Sequence, residues 1–442
     1  MSSFPGPDSP AAKPAVVLVG GLHKATRQKH LLVILVLAAS LRSGVVYWKF
    51  ENLSVDTDSY LTIALNLLSG EGFCSVSGHP TAYRPPLYPW FVALCLLMGG
   101  AAGLGVAQVV VGTATCCLAW MYARRVGLSE KGSLLTTCLV AVDPLLLLYT
   151  SHAMTETLVT FVVTLLLVTA ASAPSRRNSL VLGILFGLSV LCRPSLWAFG
   201  ALAVLAKLTF FKKRPNEQGS GPLKARVGLL VLGVLVATAP WAIRNWIVLG
   251  RPIVMTTHGG YTLLLANNPA FYDVVVERGT LWENPNLAEW QRNLNRSLAE
   301  GGFAPHDEIG RDSAMRKQAI QHIQESPVMF VRSCLTRVFR FWSPAPREGT
   351  VSSGMRLAVT GYYLGVFIMC LMGCIHIWRY RSNFDLGLVL IVSLTAVHSV
   401  FWSNARMRAP VTIVVAAVAA GSVFSESLES KHKEKSNQAR EL

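Results

Sequence analysis

The fold is constrained most by ten apolar runs of 14 to 24 residues that follow one another along the chain. The hydrocarbon core of a bilayer is about 30 Å thick, and a helix needs about 20 mainly apolar residues to cross it. Because 52% of the residues are hydrophobic and only 14% are charged, a water-soluble globular fold is excluded and an all-α polytopic membrane protein is predicted. The predicted spans are Leu31–Phe50, Ala102–Ala123, Gly132–Thr150, Leu158–Ser172, Ser179–Cys192, Leu196–Phe211, Val227–Val248, Met355–Trp378, Leu386–Trp402 and Ala409–Phe424.

The basic residues predict how these spans are oriented. A formal net charge of +16 could indicate a nucleic-acid partner, but membrane proteins collect basic residues in cytoplasmic loops that face anionic lipid. With both termini in the cytoplasm, six basic groups come to the cytoplasmic side, so we expect membrane lipid and no nucleic acid as a partner. These groups are Lys24/Arg27/Lys29, Arg124/Arg125/Lys131, Arg176/Arg177, Lys212/Lys213/Arg214/Lys224/Arg226, Arg379/Arg381 and Lys431/Lys433/Lys435.

One further apolar stretch, "RPPLYPWFVALCLLMGG" (Arg84–Gly100), is not counted as a span. Counting it would reverse the orientation of every later loop and place the basic groups outside. We therefore predict a helix that lies in or dips into the outer interface of the membrane.

These assignments divide the chain into five parts. Two long segments, which begin at Glu51 and Arg251, are expected on the extracytoplasmic side. The parts are a disordered cytoplasmic tail (1–30), an N-terminal transmembrane module (31–250) with a catalytic first outer loop (51–101), a small extracytoplasmic loop domain (251–354), C-terminal transmembrane helices (355–424) and a cytoplasmic tail (425–442).

Two acids stand at the head of an amphipathic helix in "VDTDSYLTIALNLLSGEGF" (Val55–Phe73). An aspartate at this position caps free backbone N–H groups and favours the helix dipole. Asp56 and Asp58 could also bind a metal ion as a pair, or one of them could be a catalytic base. The local pattern favours capping for one acid and leaves the other two alternatives open.

Further charged residues are expected on the same face of the membrane. A single arginine there is commonly a structural or lipid-contacting anchor, and a glutamate before a span is commonly a helix-terminal acid. Several separate elements that deliver arginines to the outer face, against the positive-inside bias, instead indicate that an anion binds there. The residues are Arg84, Glu156, Arg193, Arg244, Asn245, Arg406 and Arg408.

The order of "DTDSYLTIALNLLSGEGF", "YRPPLYPWF", "DPLLLLYTSHAMTETL", "LCRP", "PWAIRNWIVLGRPI" and "NARMRAP" resembles the polyprenyl-phosphate-dependent membrane glycosyltransferases of the GT-C fold. This family includes protein O-mannosyltransferases and aminoarabinose transferases. The resemblance implies a catalytic acid at Asp56, with Tyr60 as its anchor and Asp58 as the alternate acid. It also implies roles for Arg84 and Glu156 and a place in the bacterial inner membrane.

The expected function is therefore inverting transfer of a sugar from a polyprenyl-phosphate donor to an extracytoplasmic acceptor. A carboxylate would take the proton of the acceptor while the arginines stabilise the departing phosphate. His79 and His258 are candidate sugar contacts, no cofactor or metal is required, and a divalent cation has no specific support. The alternatives are a polytopic transporter or lipid-handling protein, and an assembly subunit without activity.

Overall fold

The computed structural model describes residues 15–209, 222–280, 282, 285–346, 351–380 and 385–424. The predicted C-terminal tail (425–442), the first 14 residues of the predicted N-terminal tail, and the basic residues Lys212, Lys213, Arg214 and Arg381 lie outside the described residues.

Within the described part, the chain forms seventeen α-helices and one small two-stranded sheet. Strand β1 (Cys74–Val76) pairs antiparallel with β2 (His79–Pro80). Short 3₁₀-helices cover Phe50–Ser54 and Ala405–Val411, and a π-helix covers Tyr272–Glu277. The prediction of an all-α fold is confirmed. The helices are α1 Ala15–Trp48, α2 Tyr60–Leu68, α3 Leu87–Arg125, α4 Glu130–Ala141, α5 Pro144–Tyr149, α6 Glu156–Ala170, α7 Arg176–Cys192, α8 Leu196–Thr209, α9 Leu223–Leu249, α10 Gly259–Ala266, α11 Pro269–Phe271, α12 Asn286–Glu300, α13 Glu308–Glu325, α14 Pro327–Phe341, α15 Ser353–Tyr380, α16 Asp385–Val400 and α17 Thr412–Val423.

Five helical stretches of the described part are long and apolar enough to cross a membrane: Gln28–Trp48, Leu87–Arg125, Leu223–Leu249, Ser353–Cys374 and Ala405–Val423. Shorter apolar helices are Glu156–Ala170, Leu196–Ala206 and Leu386–Val400. Large apolar side chains are exposed along several of these helices, as on a surface that meets lipid. The protein is an integral membrane protein.

Helix α3 is broken where the interfacial stretch was predicted to end. Gly99 and Gly100 are non-helical, and Gly100 has φ 59°, a left-handed conformation that favours glycine. A Cβ atom on Gly103 would lie 2.4 Å from the carbonyl oxygen of Cys95, so the two halves of α3 fold closely back on each other. The first half, from Leu87 to the break, is about 18 Å long at 1.5 Å per residue and too short to span the bilayer.

The predicted third span is divided between α4 and α5 at Asp143–Pro144. Proline has no backbone N–H, and Oδ1 of Asp143 accepts a hydrogen bond from Leu146 N (2.9 Å) at the start of α5. At the end of α4, the buried guanidinium of Arg42 donates to the carbonyls of Ala141 (3.2 Å) and Val140 (3.3 Å). The backbone groups that the break leaves without helical partners thus form hydrogen bonds with side chains inside the bundle.

The first helix begins at Ala15, within the stretch that was predicted to be a disordered tail. Residues 15–30 contain no proline, and eight of these sixteen residues are Ala, Leu, Lys, Arg or Gln, which favour helix, so the helix of the first span extends backwards.

The long segment from α10 to α14 has its own apolar core, formed by Leu263, Leu264, Leu294, Leu298, Met315 and Ala319. A carboxylate at the start of α13 connects it to the loop between α1 and α3, and Thr257 N also donates to the carbonyl of Ala82 (3.1 Å). Glu308 accepts hydrogen bonds from Thr81 Oγ1 (2.6 Å) and Ala82 N (2.7 Å). The two long segments thus meet just before Arg84.

Candidate active site

Asp56 caps helix α2 from outside its first turn. Its carboxylate accepts hydrogen bonds from Leu61 N (3.2 Å), Thr62 N (2.9 Å) and Thr62 Oγ1 (2.5 Å). These bonds form because Ser59 is in the left-handed conformation (φ 62°) and turns the chain back over the helix start. The capping interpretation is therefore correct for Asp56, and the same bonds hold an exposed carboxylate in one orientation.

Asp58 binds two arginines that are far apart in the sequence. Its Oδ1 lies 2.9 Å from Nη2 of Arg84, and its backbone oxygen accepts from Nε of Arg84 (2.8 Å). Its Oδ2 lies 3.3 Å from Nη1 of Arg406. Asp58 is one-fifth exposed, so these pairs are shielded from water and keep more of their Coulomb energy than surface pairs.

Glu156, at the start of α6, is the buried acid of the same cluster. Its Oε1 lies 2.7 Å from Nη2 of Arg193 and 3.3 Å from Nε of Arg406, and its side chain is only 1% exposed. Among the residues that the structure describes, Oε2 of Glu156 has no hydrogen-bond partner. Arg406 therefore links Glu156 to Asp58, since its guanidinium contacts both carboxylates.

The guanidinium of Arg406 is fixed by the 3₁₀-helix that carries it. Asn404 caps this helix by accepting from Arg406 N (3.1 Å), and Nη1 of Arg406 also lies 2.9 Å from Sδ of Met154. Arg193 comes directly after the end of α7 and also donates to Thr155 Oγ1 (3.1 Å). Both arginines are thus oriented by groups other than the acids.

The cluster of Asp58, Arg84, Glu156, Arg193 and Arg406 holds two carboxylates and three guanidiniums. Their formal charges leave an excess of one positive charge in a largely buried place. A singly charged anion is the partner that would balance this excess, because an uncompensated charge in a region of low dielectric is costly.

Two aromatic rings contact the guanidinium of Arg84. Its Cζ lies 5.5 Å from the ring centre of Tyr60 and 5.0 Å from that of Tyr83. Burial raises the pKa of Tyr60 to about 12, although the charge of Arg84 opposes this shift, so the hydroxyl stays protonated. Tyr60 also packs edge-to-face on Tyr88 at 5.1 Å.

His258 lies beside Tyr83, with ring centres 4.2 Å apart, and stacks on Tyr261 at 5.1 Å. Burial and, second, the charge of Arg84 hold the pKa of His258 well below its usual range, so its ring is neutral. The predicted site residue His258 is therefore next to the cluster. His79 is not, because its exposed ring stacks on that of His306 at 5.0 Å.

Three other predicted site residues donate hydrogen bonds to backbone carbonyls and do not join the cluster. Arg244 donates to the carbonyls of Thr81 (2.7 Å) and Phe73 (2.9 Å), and Asn245 donates to the carbonyl of Ile253 (2.7 Å). Arg408 donates to the carbonyls of Phe341 and Ser343 and stacks on Tyr363. These contacts favour structural anchoring for all three residues over contact with a substrate.

Several neighbours of the cluster were not predicted, namely Thr62, Tyr83, Met154, Thr155 and Tyr261. The sequence offered little to indicate them: Tyr83 and Thr155 differ from other residues only in lying directly beside predicted site residues. Within the described ranges, no group of three His, Cys, Asp or Glu residues is arranged to hold a metal ion.

Residues 83–243 match the family model of dolichyl-phosphate-mannose-protein mannosyltransferase. The match confirms the resemblance that the sequence motifs indicated. It contains Arg84, Glu156 and Arg193, whereas Asp58 and Arg406 lie outside it. A search of curated proteins gives no match.

Two kinds of solved structure resemble the fold. The apo oligosaccharyltransferase of Archaeoglobus fulgidus is 14% identical, with a TM-score of 0.48, and the match covers 92% of this chain and 52% of that protein. ArnT from Cupriavidus metallidurans, bound to undecaprenyl phosphate, is 14% identical, with a TM-score of 0.39 and coverage of 94% and 79%. This chain spans about half the length of the oligosaccharyltransferase.

Proposed function

We propose that the protein is a membrane glycosyltransferase that moves a sugar from a polyprenyl-phosphate donor to an acceptor on the extracytoplasmic face, with inversion at the sugar carbon. The observation that carries this proposal is the convergence of Arg84, Arg193 and Arg406 on Asp58 and Glu156. The family match, whose described donor is dolichyl-phosphate-mannose, supports the donor class.

The charge of the cluster suits this donor. A sugar joined to a polyprenyl phosphate is a phosphate diester with one negative charge, which equals the positive excess of the cluster. When the bond from C1 of the sugar to the phosphate oxygen breaks, the leaving monoester gains negative charge. Preorganised guanidiniums stabilise that charge where it develops, and they need little reorganisation at the moment of reaction.

The two aspartates differ in their suitability as a base. In the proposed reaction, the acceptor hydroxyl or amine attacks C1, the electron pair of the C1–O bond goes to the phosphate oxygen, and the acceptor proton goes to a carboxylate. Asp58 has a guanidinium at each oxygen, which suits it to hold Arg84 and Arg406 in place. Asp56 is exposed and is oriented by neutral donors, so we assign the proton to Asp56.

Glu156, in this proposal, fixes Arg193 and Arg406 and places its unpartnered Oε2 toward the sugar or the acceptor. Arg244, Asn245 and Arg408 support the backbone around the site. In this proposal the first outer loop (51–101) is catalytic and the segment 251–354 lies on the outer face, in a bacterial inner membrane with both termini in the cytoplasm.

The function is tested with the purified full chain in lipid nanodiscs. Labelled polyprenyl-phosphate-mannose is supplied together with a cell-envelope extract as acceptor, and the release of polyprenyl phosphate and the labelling of the acceptor are measured. We expect both signals, and we expect them to be lost in Arg84→Ala. The matched control Arg251→Ala, an exposed arginine in the second outer segment, should keep them.

Donor binding without any transfer, across a panel of acceptors and sugars, would instead favour a lipid-handling protein. The orientation is tested with cysteines introduced at Ser69 and Ser175, which should be labelled from outside and from inside, respectively. The opposite labelling would place the cluster on the cytoplasmic side and contradict the proposal.

A further inference from the structure

Three aromatic rings form a continuous wall that begins at the charged cluster and runs into the second long segment. Tyr83 follows directly after the residues bound by Glu308, and its ring centre lies 5.0 Å from Cζ of Arg84 and 4.2 Å from the ring centre of His258. Tyr261, in the first turn of α10, stacks on His258 with an angle of 26° between the rings. The aromatic wall thus consists of Tyr83, His258 and Tyr261.

The wall is close to the charged groups of the site. Burial raises the pKa of the Tyr261 hydroxyl, and the charges of Arg84 and Asp58 act on it with opposite signs. The same two charges act on Tyr83. A group bound at Arg84 would therefore meet the ring of Tyr83, from which the rings of His258 and Tyr261 follow at 4.2 Å and 5.1 Å.

The wall lies at the edge of an apolar core and is not enclosed by it. Tyr261 packs against the apolar cores of the second long segment. Tyr83, His258 and Tyr261 are nevertheless only partly buried, whereas Phe271 and Leu264 in those cores are fully buried. A hydrogen bond from Gln291 Nε2 to the hydroxyl of Tyr261 (2.7 Å) also fixes the position of this ring.

A partly exposed aromatic surface beside a charged cluster has a specific chemical preference. The C–H face of a pyranose ring is apolar and carries a slight positive charge, and it packs on the negative face of an aromatic ring. The hydroxyl rim of the same sugar needs polar neighbours, which the phenol and imidazole groups supply. A polyprenyl chain is a hydrocarbon and cannot form hydrogen bonds with these polar groups. A phosphate is negatively charged, and the negative faces of the aromatic rings would repel it.

We infer that the aromatic wall of Tyr83, His258 and Tyr261 is a pyranose-binding surface of the site. This inference rests on the proposed function, because it names the part of the site that takes a sugar ring. The pyranose belongs either to the donor or to the acceptor, and the two sources share the same stacking chemistry. The wall thereby sets sugar preference, whereas the guanidiniums bind the phosphate.

The test compares Tyr83→Leu and Tyr261→Leu with Tyr83→Phe, which keeps the ring. The full chain in nanodiscs is titrated with polyprenyl phosphate alone and with polyprenyl phosphates that carry mannose, glucose, galactose or N-acetylglucosamine, and thermal stabilisation is measured. In a second arm, the methyl glycosides of the same sugars are added to protein already saturated with polyprenyl phosphate.

We expect the parent and Tyr83→Phe to prefer at least one sugar-bearing ligand, either over polyprenyl phosphate in the first arm or over buffer in the second. The leucine variants should lose that preference by about tenfold in apparent affinity, while polyprenyl phosphate alone binds as in the parent. Loss in the first arm identifies the sugar of the donor, and loss in the second identifies that of the acceptor.

Other outcomes separate the two proposals. Leucine variants that keep the parent's sugar preference in both arms would overturn the aromatic wall as a sugar surface, as would a parent that binds polyprenyl phosphate but shows no sugar preference in either arm. A parent that binds neither polyprenyl phosphate nor any of its glycosides would contradict the proposed function itself.

Discussion

Asp58 and Arg406 are 348 positions apart in the chain, yet Oδ2 of the first lies 3.3 Å from Nη1 of the second. The pair joins the first long loop to the 3₁₀-helix before α17, and Arg406 continues the contact to Glu156. One guanidinium therefore joins an acid of the first long loop to an acid at the start of α6. This arrangement makes Arg406 the residue whose shape matters most for the geometry of the cluster.

Arg406→Lys keeps the charge and removes the planar fork. One ammonium group cannot reach Asp58, Glu156 and Met154 in the way that the guanidinium does. We expect the apparent KM for a polyprenyl-phosphate-sugar donor to rise at least about tenfold, measured by the release of polyprenyl phosphate. Arg251→Lys is the control and should leave the KM unchanged. An unaltered KM in Arg406→Lys would remove Arg406 from the donor site.

Asp56→Asn and Asp58→Asn separate the base from the residue that organises the arginines. Asparagine keeps one of the two acceptor oxygens that Asp56 uses at the start of α2, so Asp56→Asn should lower the free energy of unfolding by only about 1 kcal/mol. It should lose about 10²- to 10⁴-fold in kcat, the usual contribution of general-base catalysis. Asp58→Asn should act mainly on the donor KM. Glu71→Gln, an exposed acid of the same loop, is the control, and full activity of Asp56→Asn would transfer the base role to Asp58.

Glu156 and Arg193 should show strong coupling in their effects on stability. Removing one partner of a buried ion pair leaves the other charge unpaired and costs roughly 3–5 kcal/mol. Glu156→Gln and Arg193→Met should therefore each lower the free energy of unfolding, and the double variant should lose less than the two single losses together. Additive losses, measured by denaturation in a mild detergent, would mean that the 2.7 Å contact contributes little.

Much of the fold follows from local sequence patterns, but the partners within the site do not. The apolar runs predict the helices, and the predicted end of the interfacial stretch at Gly100 coincides with the break in α3, because these features act within a few residues. The break of the third span at Asp143–Pro144 was not predicted. The pairing of Asp58 with Arg406, and the turning of Arg244 and Arg408 toward carbonyl groups, depend on packing between distant elements. In the sequence, an arginine that binds a charged group of the site looks the same as an arginine that anchors backbone carbonyls.

Glu308 should control how firmly the first long loop is held. Its carboxylate accepts from Thr81 Oγ1 and Ala82 N, and loss of such a charged acceptor leaves both donors unpaired, at about 1–3 kcal/mol. We expect Glu308→Ala to increase amide hydrogen exchange across residues 79–84 and to raise the donor KM through Arg84. The control is Glu300→Ala, an exposed acid at the end of α12. Unchanged exchange at Ala82 would argue against this link between the two segments.

His258 should make the stability of the protein sensitive to acid. Burial and the charge of Arg84 lower its pKa in the folded state well below the value near 6.5 of an unfolded chain. The unfolded state therefore binds more protons below about pH 6.5, and the folded state loses stability as the pH falls through that value, by at most about 1.4 kcal/mol per pH unit.

His258→Gln should flatten the decline of the thermal midpoint between pH 7.5 and pH 5. His306 is an exposed histidine, and His306→Gln should keep the decline of the parent. If His258→Gln declines as steeply as the parent, another group is responsible for the acid sensitivity.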